Sequence, residues 1–402
     1  PDGRSVAFVR GKGLRSTFQI RLQSVDGGEP ELLHEAPGLG IINDVDWVAD
    51  GSALVFSFFV ERSRLWEISA RGDTPKLLPV GEDAVYFSVA RIGNRLAYCD
   101  EWVVANDIWR LHGPSSPAPE VASKLISSTS LDHHVSYSPD GTRIAFTSNR
   151  TAEPDTNYNT DIWVVSTDNT DKGAELLRIT ENPGPDASPS WSPDGALIAH
   201  NSIVETKART LYATNHLAVS SSQGGSTEVL TRDLDRMIYR PRFSPNENAI
   251  YFLLEDRGEQ NLARVPAEGG AVERLIQGRN VVARFDFGPE EAMAVLITQP
   301  HLPEEVFVFQ NGTIEQRTNT NTELLAEIEL GAVEKIRFQS QDGTEIESFV
   351  IKPPGFQEGE RHPAILRIHG GPQSQYDFGF AFEQQLFAAN GYVVVTVSYT
   401  HL

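Results

Sequence analysis

One short pattern returns seven times along the 402 residues of this chain. PDGRSVAF ends at Phe8, ADGSALVF at Phe56, SPDGTRIAF at Phe146 and SPDGALIAH at His200. Looser copies are IGNRLAY ending at Tyr98, SPNENAIYF ending at Phe252 and GPEEAMAVL ending at Leu296. The position of the aspartate falls at residues 2, 50, 92, 140, 194, 246 and 290, with gaps of 48, 42, 48, 54, 52 and 44. Three residues before it stand Trp47, Val89, Tyr137, Trp191, Phe243 and Phe287, while the first copy starts too late in the motif to show this position.

The pattern has a direct conformational meaning. Proline fixes φ, and Asp-Gly supplies residues that tolerate the φ of a tight turn. An apolar run such as RIAFTS then reads as a strand. Further strands are expected around Trp66, Trp109, Trp163 and Leu262, each followed by a polar, glycine-rich turn such as STDNTDKG or PAEGG. Each repeat therefore has room for four short strands, the content of one propeller blade. A single such sheet cannot cover both of its faces, and stacking around a ring solves that. The expected fold is an all-β seven-bladed propeller over roughly residues 1–320, with the aromatics of the repeat buried between blades and the first blade lacking its leading strand. The recurring aromatic argues against a β-sandwich or a solenoid. The turn motif resembles the repeats of TolB-type propellers.

Composition excludes some functions. The net charge is −21, from 34 basic and 55 acidic side chains, which argues against nucleic acid as a partner because phosphate contacts need a basic surface. No run of eighteen apolar residues exists, so no membrane span is expected. The one cysteine, Cys99, cannot form an internal disulfide and is expected to be a buried thiol. A cytoplasmic location is expected, although a chain that opens inside a motif says little about a leader. DTNYNTD, residues 155–161, resembles the opening of a calcium loop but has Thr160 and Ser166 where the loop needs Gly and Glu. Asp132-His133-His134 could suggest a metal site, yet neighbours in a strand point to opposite faces. No metal or cofactor is expected.

After about Asn321 the pattern changes. In EKIRFQSQDGTEIESFVIKPPG two alternating strands flank Asp342-Gly343, a hairpin signal. AILRI, Ala364 to Ile368, is a short apolar run ending at His369-Gly370-Gly371. AFEQQLFAANG reads as a helix with Phe382, Leu386 and Phe387 on one face and Gly391 as its stop. The β-branched run YVVVTVSY reads as a strand buried on both faces. Residues 321–402 are thus expected to open an α/β sheet. A strand ending in His-Gly-Gly leaves backbone N–H groups free, the geometry of half an oxyanion hole, although paired glycines also serve simple tight turns.

The whole chain resembles the prolyl oligopeptidase family of serine peptidases, most closely its acylaminoacyl-peptidase-like branch. The residues that carry the resemblance are the repeats, then DGTEIESFVIKPPG, AILRIHGGPQSQYDFGF and GYVVVTVSY, in that order. The resemblance implies a propeller followed by an α/β-hydrolase peptidase domain that acts on short peptides. It also implies that the backbones of Gly370 and Gly371 face the tetrahedral oxyanion and that His369 is structural. The family continues with an arginine-glycine-serine loop, a G-x-S-x-G nucleophile elbow, an Asp and a His. Here the chain reads SYTHL, contains no G-x-S-x-G, and carries no counterpart of the triad, so this polypeptide alone is expected to be inactive. Tyr399 to Leu402 do not match the family loop and are a candidate foreign tail. Two other readings stay open: a TolB-like propeller that only binds, and a non-peptidase esterase on the same scaffold. With most of its sheet absent, the region after about residue 330 is expected to be loosely held. Ile365, Ile368, Val393 and Val395 should then be exposed, and proteolysis should cut first between Asn321 and Arg361.

Overall fold

The computed structural model describes residues 1–11, 17–36, 38, 40–80, 83–93, 95–102, 105–112, 122–204, 213–246, 248–371 and 374–398. The repeats fold into antiparallel sheets whose strands follow one another in chain order. The first has three strands, Ser5–Gly11, Phe18–Ser24 and Glu31–Glu35. Four-stranded sheets follow, led by Ile41–Trp47, Ala84–Val89, Asp132–Tyr137 and Asp186–Trp191. The strands led by Ile238–Phe243 and by Val281–Phe287 share one eight-stranded sheet, joined where Gln260 pairs with Val281 in parallel.

The turn motif explains why each repeat begins as it does. Asp140 Oδ1 accepts hydrogen bonds from Ser138 Oγ at 2.6 Å and the Thr142 amide at 3.0 Å, while Gly141 takes φ +70°. Asp194 repeats this with Ser192 Oγ at 2.6 Å and the Ala196 amide at 3.0 Å. Hydrogen bonds from Ser138 and from Ser192 hold these two carboxylates below their ordinary pKa.

Burial runs between successive sheets. Ala97, Cys99 and Ile108 of one sheet form a cluster with Tyr137, Ile144 and Phe146 of the next. Ala145, Ile162 and Val164 pack in turn against Trp191 and Ile198. Polar contacts fix the register. The Arg143 guanidinium lies 4.7 Å from the Trp191 ring centre and donates to the Gly195 carbonyl at 3.0 Å, and Trp191 Nε1 donates back to the Ser136 carbonyl at 3.0 Å. Tyr137, Trp191 and Phe243 are buried, but Trp47 and Phe287 are only half-buried. Trp191 meets the leading strand of the preceding sheet, whereas the three-stranded first sheet offers Trp47 no equivalent strand.

The leading strands surround a cavity of about 1830 Å³. Each of six carries a register shift, and Tyr86, His134, Ser188 and Arg240 at four of them have φ between +46° and +59°. The first and last repeats approach one another: Arg10 Nη2 donates to the Thr320 carbonyl at 2.6 Å, and a Cβ on Gly3 would lie 1.7 Å from Pro289 Cδ. The arrangement is β-rich and propeller-like.

The bulge also overturns one expectation. His133 and His134 do not diverge, because positive φ at His134 undoes the alternation, and their Nδ1 atoms stand 2.8 Å apart. Burial, with His134 beside it, pushes His133 down to about 4. No group of three metal-ligating side chains occurs among the described residues.

Residues after 330 form a sheet in the order Val333–Gln339, Glu345–Ile351, Val393–Ser398, Ala364–Ile368. The first two strands make the hairpin around Asp342-Gly343. Ala364–Ile368 and Val393–Ser398 are parallel, and the Phe382–Ala389 helix connects them. The helix turns a different face inward from the one read in the sequence. Of the residues read as its apolar face, Phe387 packs half-buried against the core, but Phe382 and Leu386 are exposed, whereas Gln385 and Ala388 are buried. Gln385 Oε1 accepts the Gly331 amide at 2.7 Å, and its Nε2 donates to the Gly331 carbonyl at 3.2 Å. A polar side chain that satisfies two backbone groups is cheaper to bury than a large ring without space. Ile368 is exposed, but Ile365, Val393 and Val395 are half-buried. The sheet is tied to the repeats by Arg279 Nη2 donating to the Val333 carbonyl at 2.6 Å and by His301 Nε2 2.9 Å from the Gly331 carbonyl.

Trp191→Ala should cost about 3–5 kcal/mol in urea unfolding, through lost area and a cavity between sheets. Phe382→Ala, on an exposed ring, should stay within about 0.5 kcal/mol.

Candidate active site

The Ala364–Ile368 strand ends in His369-Gly370-Gly371, at the carboxyl edge of a parallel pair. Ligands of open α/β sheets bind outside such edges. The Gly370 and Gly371 amides donate to no acceptor among the described residues, and both glycines are exposed. Gly371 has φ +142°, a conformation that side chains rarely adopt. Gly370 differs: a Cβ there would meet nothing within 4 Å. Its bareness therefore answers neither strain nor packing, and what it does is leave the face of the turn open. His369 Nδ1 lies 3.0 Å from the Gly370 carbonyl, and its ring is 5.7 Å from that of Tyr376. Pro372 and Gln373 lie outside the described residues, as do Tyr399 to Leu402.

The chain beyond the turn docks on the repeats. Gln375 Oε1 accepts the Gly258 amide at 2.9 Å, the Phe378 amide donates to the Gly258 carbonyl at 2.8 Å, and the Phe380 amide donates to Thr298 Oγ1 at 2.9 Å. Phe378 packs edge-on against Phe349 at 4.9 Å, with Arg279 5.2 Å from its ring centre. The Tyr376 amide donates to Ser398 Oγ at 3.1 Å, fastening the segment to the neighbouring strand. Asp377, between these anchors, lines the central cavity. The segment that follows the glycine turn in the chain thus contributes to the cavity wall.

The cavity wall is charged. Arg240, Arg242 and Arg284 share it with Asp44, Asp46 and Asp286. Arg242 Nη1 pairs with Asp286 Oδ1 at 2.8 Å. Crowding by the wall, together with Asp286 and Asp44, pushes Asp46 up to about 7.

A second constellation looks catalytic only in outline. His200 Nε2 lies 3.0 Å from Ser220 Oγ, and its Nδ1 lies 3.5 Å from Asp186 Oδ1. All three side chains are buried and none lines the cavity. Ser220 Oγ also shares a hydrogen bond of 2.8 Å with Thr227 Oγ1. A nucleophile must reach a substrate carbonyl, so this group serves the sheet interior.

Gly371→Ala should destabilise by about 1–3 kcal/mol, while Gly370→Ala should leave the melting temperature nearly unchanged. A carboxyl whose pKa is raised by folding holds a proton that the unfolded chain has lost, so its contribution fades as pH rises from about 4 toward its folded value. Asp46→Asn has no such proton to lose. Its melting temperature relative to the parent should therefore rise between about pH 5 and about pH 8, read by calorimetry.

No family model matches the chain. By sequence it is similar to dipeptidyl-peptidase 5 of Porphyromonas gingivalis, 28% identical over 65% of this chain and 38% of that protein. The uncharacterized peptidase YuxL of Bacillus subtilis is 25% identical over 99% of this chain and 60% of its own length. The chain therefore spans less than two thirds of either relative. In fold it is similar to the acylaminoacyl peptidase of Pyrococcus horikoshii, with a TM-score of 0.75 at 19% identity over 98% of this chain and 62% of that one. A puromycin-hydrolyzing peptidase of Mycobacterium tuberculosis gives 0.70 at 16% identity over 100% of this chain and 67% of that one. These structural likenesses speak to fold alone. The sequence relatives are peptidases by name, and the order of repeats, hairpin, His-Gly-Gly turn and parallel strand makes the chain similar to peptidases of the prolyl oligopeptidase family.

Proposed function

We propose that this chain is the propeller and the opening of the α/β-hydrolase domain of a serine peptidase that cleaves short peptides. The division falls near residue 320: residues 1–320 form a seven-bladed propeller of TolB-like repeats, and residues 321–402 begin the peptidase domain. The three-stranded first sheet and the eight-stranded last one, divisible at the Gln260–Val281 pair, support the count of seven. The observation that carries the function is the open glycine turn at the end of Ala364–Ile368, with two amides facing no acceptor among the described residues.

In this reading the Gly371 amide, with that of Gly370 beside it, donates to the oxyanion as the scissile carbonyl becomes tetrahedral. Such a donor acts because it is already oriented when charge develops. His369, held against its own backbone, shapes the turn and moves no proton. The attacking serine, the histidine that takes its proton and the orienting aspartate are supplied by sequence that these 402 residues do not contain, since no G-x-S-x-G occurs in them. The cavity, whose wall includes Asp377, would receive short or extended peptides, as the resemblance to the family implies.

The test uses a fluorophosphonate probe and aminoacyl or dipeptidyl chromogenic substrates. The 402-residue chain should take no label and release no chromophore, while a polypeptide extending it with a G-x-S-x-G element, Asp and His should do both. Stoichiometric labelling of a serine in the 402-residue chain would overturn the assignment.

A further inference from the structure

Four features of the cavity wall converge on two arginines. Arg240 and Arg284 both line it and are both exposed to it. Neither lies within ion-pair distance of a carboxylate among the described residues, in contrast to Arg242, which Asp286 holds at 2.8 Å. Burial and the neighbouring positive charge of Arg284 lower the pKa of Arg240, with Asp44 opposing. Two guanidinium groups close enough to feel each other's charge in one recess are unfavourable alone and favourable around an anion.

The backbone repeats the message. Arg240 has φ +53°, in the left-handed region that a side chain occupies at a cost. The register shift between Tyr239 and Arg242 accompanies this, and it re-aims a side chain that strict alternation would place elsewhere. His134 and Tyr86 occupy the matching bulges of two other sheets, 5.6 Å apart ring to ring. Burial, and Arg240 nearby, lower the His134 pKa. The result is a collar with two cationic forks and an aromatic flank.

We propose that Arg240 and Arg284 form an anion pocket inside the cavity that takes a carboxylate of a short peptide. The choice of a peptide rests on the peptidase reading above, while the choice of an anion rests on the two arginines. A polyanion such as nucleic acid is repelled by a chain of net charge −21, whereas one carboxylate matches the bidentate fork of a guanidinium. The carboxylate is either the C-terminal one or an acidic side chain.

The test measures binding rather than cleavage. Coumarin-labelled N-acyl tetrapeptides are titrated with the 402-residue chain and read by fluorescence anisotropy, in three forms: a free C-terminal acid, its amide, and an amide carrying an internal Glu. The acid should bind about tenfold more tightly than the amide. Tighter binding of the Glu-bearing amide than of the plain amide assigns the pocket to side chains as well. Arg240→Gln with Arg284→Gln should erase the acid–amide difference, and Arg240→Lys should retain part of it, with circular dichroism reporting that each variant folds. Equal binding of all three peptides, absence of binding by all three, or a carboxylate-dependent difference that survives the double substitution would overturn the pocket. Because no hydrolysis is read, a failure here is separable from failure of the serine-labelling experiment.

Discussion

A β-sheet of three or four short strands has two faces and can cover neither by itself. Everything in the repeat region follows from the need to cover both. Successive sheets share clusters such as Ala145, Ile162, Trp191 and Ile198, so no apolar face depends on its own repeat alone. Dispersion and apolar burial supply the attraction, but they are not directional. Direction comes from the polar clasp in which Arg143 sits on Trp191 and reaches the Gly195 carbonyl, while Trp191 answers through the Ser136 carbonyl. Arg95 repeats the gesture one sheet earlier, donating to Thr167 Oγ1 at 2.7 Å. Such clasps set the angle between sheets, and the angle opens the cavity.

The same geometry places the glycine turn. Gly258 lies at a strand-to-strand turn of the repeats, where a Cβ would come within 2.6 Å of Phe349 Cζ. Its amide and carbonyl are both taken by the segment after the glycine turn, through Gln375 and the Phe378 amide. Two hydrogen bonds to one residue's backbone at a point of close approach fix position more narrowly than an apolar contact of the same size. The described segment that follows the turn, from Ser374 on, is therefore fastened to the cavity wall.

Charge inside the cavity is organised differently from charge on the whole chain. A net −21 reports an acidic surface, yet the wall carries arginines close to its carboxylates. Arg242 and Asp286 neutralise one another, while burial, with Asp286 and Asp44 beside it, raises the Asp46 pKa to about 7. A wall that holds both paired and unpaired charges can discriminate among ligands by charge.

Much of this was legible in the sequence, because the features concerned are local. Asp-Gly turns after an aromatic, the hairpin at Asp342-Gly343, the parallel strand ending in His-Gly-Gly and the helix stopping at Gly391 each depend on a few adjacent residues and their φ preferences. What escaped depends on neighbours distant in the chain. The inward face of the Phe382–Ala389 helix was decided by Gly331, whose amide and carbonyl captured Gln385 and left Phe382 and Leu386 outside. The meeting of His133 and His134 was decided by a bulge, which period-two reasoning cannot register. Sequence alone determined the repeat, the turn chemistry and the bare glycines. Only the tertiary structure decided which side chains face the cavity, because that depends on bulges and sheet angles set by packing between residues about fifty positions apart.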